Sequence, residues 1–170
     1  TLAISAMLCM LLVLAGANLP AANRQSAEMA ARAMRKTFAP NDQIVMLGSY
    51  QYDLPFYLQA RQPVWVVDDW PEVAFSKRDN WQKELYESGE FNRTLRGQIL
   101  IGQKSASLRL CQKLQDGQPL WLMARRTALP NNAPALQAAT PFWQKPGDAD
   151  FPAVWHLQGD AGRAALGCGA

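Results

Sequence analysis

Residues 44–72 read IVMLGSYQYDLPFYLQARQPVWVVDDWPE, and this stretch decides the fold. Two short apolar runs, residues 44–47 and 64–67, flank one amphipathic turn-and-helix segment. The first run stops at Gly48 and the second at Asp68 and Asp69. A strand, a crossover of about a dozen residues and a second strand make the smallest βαβ unit, which sets two parallel strands side by side. The unbroken apolar character of the second run predicts burial on both faces of the sheet. Pro55 is tolerable in the first turn of the intervening helix, and Leu54, Tyr57 and Leu58 share its sheet-facing side.

Upstream, Ala27, Ala30, Ala31, Met34 and Phe38 recur at helical spacing behind Asn23 as a candidate N-cap. Downstream, residues 80–88 read as a helix with Trp81 and Leu85 inward, and residues 90–96 as a polar, mobile loop. Residues 98–102 and 119–124 read as strands joined by a helix over 106–114, a second βαβ-like unit. Residues 128–150 are rich in Pro, Asn and Ala and are expected to run over the surface. Residues 153–157 (AVWHL) make a final edge strand, and the small-residue tail 159–170 is expected to be flexible. The predicted class is α/β: a small, mainly parallel sheet of four or five strands with helices on both faces, an α/β/α sandwich.

The first charged residue is Arg24, and residues 2–17 (LAISAMLCMLLVLAGA) are almost wholly apolar. As a helix this run would cover roughly 24 Å, slightly short of a hydrocarbon core of about 30 Å. Three readings compete: the end of a transmembrane helix, a signal-peptide core with Ala15-Gly16-Ala17 as its cleavage site, or a buried helix. The first is preferred, giving the end of a transmembrane helix over residues 1–20, a soluble α/β domain over 21–158 and the tail over 159–170.

The 170 residues carry a net charge of +3 with 18% charged residues and no block of like charge, which argues against nucleic acid as a partner. The single histidine, His156, lies in an apolar strand with no nucleophile motif, so it reads as a packing or edge residue. One His and scattered Cys give no zinc pattern, and the dinucleotide fingerprint is absent. No catalytic residue, metal or cofactor is predicted. Neither Asp42 with Asp53 nor Asp68 with Glu72 is marked out as an acid pair. Cys111 and Cys168 fit no metal spacing and read as unrelated thiols, with pairing as the alternative. Ligands of open α/β sheets bind outside the carboxyl ends of the strands. The candidate rim is therefore Ser49, Tyr50, Gln51 and Tyr52 after the first strand, beside Asp68, Asp69 and Trp70 after the second.

The order of elements resembles one family. An apolar helix ends at Leu19-Pro20, a helix NRQSAEMAARAM follows, and then DQIVMLGSYQYDLPFYLQARQPVWVVDDWPEVAF. With Asp42, Leu54, Pro55, Tyr57, Leu58 and Pro63 in place, and CQKLQDGQPLWLMARR later, this looks like the C-terminal extracytoplasmic domain of bacterial GT-C membrane glycosyltransferases. Within these it is similar to the aminoarabinose transferase and protein mannosyltransferase superfamily. The likeness covers roughly residues 18–126, with residues 76–96 resembling an insertion and no counterpart after residue 150. It implies a polytopic inner-membrane enzyme whose soluble part is periplasmic. Its partners would be membrane lipid and a polyprenyl-phosphate sugar donor, and its acceptor a lipid of the lipid A kind or a protein. In that family the catalytic acid lies in a loop between early membrane helices, so no catalytic residue carries over to this chain. The alternative readings are a secreted stand-alone α/β binding protein with a cleaved signal and a soluble hydrolase.

Overall fold

A computed structural model describes residues 26–70, 80–129 and 134–169. The expected membrane span over 1–20 lies outside these residues. Among the described residues, no helix is long and apolar enough to cross a membrane.

Helix α1 (Glu28–Met34) leads into β1 (Gln43–Leu47), whose five residues are all buried. Helix α2 (Leu54–Leu58) carries Pro55 in its first turn and returns the chain to β2 (Trp65–Asp68). β1 and β2 pair in parallel with Val45 opposite Trp65, so the opening stretch folds as the βαβ unit it spells. Helix α3 (Trp81–Ser88) follows, capped by the Asn80 side chain accepting from the Lys83 N–H. A 3₁₀ turn (Gly89–Asn92) and helix α4 (Arg93–Ile99) lead to β3 (Leu100–Gly102). Helix α5 (Gln103–Gln115) leads to β4 (Leu120–Ala124), and a short helix α6 (Pro134–Ala138) precedes β5 (Ala153–Leu157) and α7 (Gly159–Leu166).

The strand order is β3-β2-β1-β4-β5, parallel throughout except for the antiparallel edge strand β5. Side chains alternate between two packed faces. Ile44, Met46, Trp121, Met123 and Val154 meet α1 and α2 on one face. Val45, Leu47, Leu120, Leu122, Trp155 and Leu157 meet Leu110 and Leu114 of α5 and Leu166 of α7 on the other. Both sides of the sheet are covered, which is why the strands tolerate no polar alternation. The outer edge of β5 is shielded by an antiparallel bridge from Trp143 to Val154.

Five expectations are corrected. The segment 90–96 is not a loop: Asn92 caps α4 by accepting from the Leu95 N–H, and Glu90 is ion-paired to Arg93 and Arg96. The strand read at residues 98–102 begins only at Leu100, because α4 runs on to Ile99. The second βαβ-like unit does not join neighbouring strands, because β4 lies against β1 on the far side of the sheet from β3. The tail is helical rather than loose. Its small residues are contact residues: a side chain on Gly162 would lie 3.0 Å from the Leu157 backbone carbon, so glycine is what lets α7 close on the end of β5. Cys168, just after this helix, is joined to Cys111 of α5 in a disulfide with Cα atoms 5.5 Å apart, overturning the reading of two unrelated thiols.

Candidate functional site at the sheet's switch point

The chain leaves β1 toward β2 on one side and returns to β4 on the other, so the strand order reverses between β1 and β4. In a doubly wound sheet the loops after such strands splay apart and leave a crevice at their carboxyl ends. A cleft of about 710 Å³ lies at this place. The turn after β1 supplies Gly48, Ser49, Tyr50, Gln51 and Tyr52, and the residue after β4 supplies Arg125. Because β5 runs antiparallel, its entry loop lies at the same end and adds Asp148, Asp150, Phe151 and Pro152. Ser26 and Asp53 complete one side and Trp81 of α3 another.

The turn is built for a tight exit from the strand. Gly48 has φ +59°, a left-handed conformation that costs an L side chain energy. A Cβ added there would also meet the Ala128 Cβ at 3.0 Å. The Gly48 N–H donates to the Val67 carbonyl at 3.2 Å, continuing the β1–β2 ladder, and the Gln51 N–H donates to Met46 Sδ at 3.3 Å. Ser49 is buried, and its Oγ has no hydrogen-bond partner. Such a group usually has one, so an unsatisfied hydroxyl in a cleft is informative.

Three aromatic side chains make one wall. Tyr52 meets Tyr50 edge-to-face at 4.5 Å, and Tyr50 lies nearly parallel to Trp81 with centroids 6.5 Å apart. Burial raises the Tyr50 phenol above its ordinary value of 10.0, with the neighbouring Tyr52 adding to the effect. Burial and then the Glu84 carboxylate raise Tyr52 in the same direction. Both phenols therefore remain protonated donors at neutral pH. Also lining the cleft, Asp53 Oδ2 accepts from Ser26 Oγ at 2.9 Å and from the Ala27 N–H at 3.0 Å, tying the start of α1 to the start of α2. Asp148 accepts from the Phe151 N–H and pairs with Lys145.

The second half of the predicted rim goes elsewhere. Asp68 accepts from its neighbour's N–H, that of Asp69, and from Gln82 Nε2 at 2.8 Å, so it closes the turn and anchors α3. Asp69 is exposed and outside the cleft lining. Trp70 is 5% exposed, and its indole N–H is shared between the Val66 and Ile101 carbonyls at 3.2 Å each, which makes it a core residue. Ser49, Tyr50 and Tyr52 are brought together, whereas Trp70 belongs to a buried cluster with Val66, against which Tyr50 and Trp81 pack, the latter meeting the Trp70 ring edge-on. Sequence reading missed Trp81, Arg125, Asp148 and Asp150. The signal for Arg125 was its place directly after β4, which becomes telling only once β4 is seated beside β1.

Among the described lining residues there is no histidine or cysteine, and the Ser26 hydroxyl donates to Asp53, which also accepts the Ala27 N–H at the start of α1. His156 stacks on Trp121 at 4.0 Å, near the start of β4 and so at the other end of the strand. Among the described residues, no group of three His, Cys, Asp or Glu is placed to hold a metal ion. The arrangement is suited to holding a ligand by ring contact and hydrogen bonds.

No family model and no curated protein matches this chain. Among solved structures it is similar to ArnT from Cupriavidus metallidurans in the apo state, at 16% identity and a TM-score of 0.46. That match covers 84% of this chain and 21% of the other, so this chain spans about a fifth of that protein's length.

Proposed function

We propose that this chain is the extracytoplasmic cap domain of a bacterial inner-membrane glycosyltransferase, one that moves a sugar from a polyprenyl-phosphate carrier to a lipid or protein acceptor. The domain contributes binding surface rather than catalytic groups. The observation that carries the reading is how the residues of the family resemblance are used. Asp42 accepts from the Trp121 indole N–H at 2.9 Å, Leu54 and Leu58 are buried under the sheet, and the Pro63 carbonyl accepts from Gln43 Nε2 at 2.8 Å. The Tyr57 carbonyl accepts from the Arg35 guanidinium. Together they fix the βαβ unit whose turn forms the cleft. The Cys111–Cys168 disulfide supports a location outside the cytoplasm, because such bonds persist in oxidising compartments.

The test is made on the native protein in cells. An antibody to the domain should find it in the inner-membrane fraction after a high-salt wash, and external protease should digest the domain in spheroplasts. Membranes from a deletion strain should lose transfer of one polyprenyl-phosphate-linked sugar, restored by the intact gene. A freely soluble mature chain beginning at Asn18 would replace this reading with that of a secreted binding protein.

A further inference from the structure

We propose that the switch-point cleft binds a neutral saccharide, with one pyranose ring laid against the exposed ring of Tyr52 and its hydroxyls shared among Asp150, Arg125 and Ser49. Three independent features converge on this chemistry. The first is the aromatic wall. Tyr52 is 57% exposed yet held edge-on by Tyr50, which is itself braced on Trp81. An aromatic ring is electron-rich on its face and polar only at the phenol or indole edge. The face of a pyranose, with its weakly positive C–H groups, packs on such a surface while the sugar's rim of hydroxyls stays free for hydrogen bonds.

The second feature is the polar complement. The cleft is lined by three carboxylates, Asp53, Asp148 and Asp150, and one guanidinium, Arg125. This excess of acid disfavours a phosphate or other anion. Two of the carboxylates are already engaged, Asp53 by Ser26 and Ala27, and Asp148 by Phe151 and Lys145. Their acceptor capacity is thus partly committed to protein donors, which leaves Asp150 as the lining carboxylate open to a ligand. Ionised carboxylates only accept hydrogen bonds and guanidinium only donates them. A vicinal diol does both, and so is served by Asp150 and Arg125 together.

The third is Ser49, 6% exposed, whose hydroxyl lacks any partner in a residue that lines the cleft. A hydroxyl is both donor and acceptor and rotates to suit either. A ligand hydroxyl, or one ordered water beneath it, would satisfy it. The cleft volume of about 710 Å³ accommodates one or two sugar rings.

This inference deepens the proposed function and rests on it only for the source of the saccharide. It is tested on the full chain in detergent or nanodiscs by calorimetric titration with methyl pyranosides of the common hexoses, their disaccharides, a glycosyl phosphate, inorganic phosphate and an aminosugar. At least one neutral pyranoside should bind saturably. Tyr52→Ala and Asp150→Asn should each weaken it by about tenfold, with melting temperatures unchanged because both side chains are exposed. Ser49→Ala should weaken binding without lowering stability, since no protein contact of the hydroxyl is lost. Absence of saturable binding by every neutral sugar would overturn the inference. So would binding of phosphate or aminosugar alone, or affinity indifferent to both exposed variants. Saccharide binding without any transferase activity in cells would remove the cap-domain reading alone. Transfer without saccharide binding would remove this one alone.

Discussion

The imidazole of His156 lies 4.0 Å from the indole of Trp121 with the two rings tilted by only 8°. They face each other across the β4–β5 pair, where Trp121 is the register partner of His156. Burial lowers the His156 pKa from its ordinary value of 6.5, while the Asp42 carboxylate opposes the shift. The folded state therefore binds a proton less readily than the unfolded chain. Stability is full above pH 6.5 and is lost as pH falls from there through the folded value. His156→Phe keeps the stack and removes the titration. Melting curves from pH 8 to pH 5 should fall more steeply for the native protein than for this variant, and parallel curves would contradict the linkage.

The disulfide closes a loop of 57 residues. Constraining the unfolded chain to that extent is worth about 2–4 kcal/mol. Cys168→Ser, or reduction, should lower the unfolding free energy by that amount in a denaturant titration. Alkylation of the unfolded, non-reduced protein should leave both cysteines unlabelled.

Trp70→Ala removes a buried indole and the hydrogen bonds that it donates to two strands. A cost of about 3–5 kcal/mol is expected. Tyr52→Ala, at an exposed position, should change stability by no more than roughly 0.5 kcal/mol. Paired denaturation curves decide it, and similar losses for both would show that Tyr52 is as structural as Trp70.

Gly48→Ala forces an L side chain into a left-handed turn and against Ala128. The expected loss is about 1–3 kcal/mol. Gly102→Ala serves as the control, because nothing lies within 4 Å of its added carbon. Equal effects would show that the turn relaxes at little cost.

Asp53→Ala removes the acceptor for Ser26 and for the Ala27 N–H at the start of α1. Loss of such a cap costs about 1 kcal/mol. Faster hydrogen exchange confined to residues 27–31 is the expected signature, and an unchanged exchange pattern would rule the cap out.

The sequence made the layered α/β class and the first βαβ unit legible, because apolar runs such as QIVML and WVV carry their own signal of burial. It could not reveal which strand lies next to β1. Trp121 and Met123 alternate as well against either neighbour, and only packing over the whole sheet selects β4 for that place. The same gap hid half of the cleft, since Arg125 and Asp150 join Ser49 only through that neighbour and through the reversed direction of β5. Trp70 shows the opposite failure. A tryptophan after a strand end resembles a rim residue, and the carbonyls that capture its N–H are invisible until Ile101 is placed beside Val66. The tail was misread because alanine and glycine signal looseness in composition and close approach in packing.

The seating of β1 between β2 and β4 has a consequence for how the chain is made. One edge of β1 is satisfied by a partner about twenty residues away, and the other waits for Leu120–Ala124; the Asp42–Trp121 bond spans 79 residues. Non-local pairings of this kind form late, after their loop-closure cost has been met. During vectorial emergence from a ribosome or translocon, this strand, buried along its whole length in the finished fold, must spend that interval with a bare edge. Any chain arrested before β4 would carry an exposed template for aggregation at its centre.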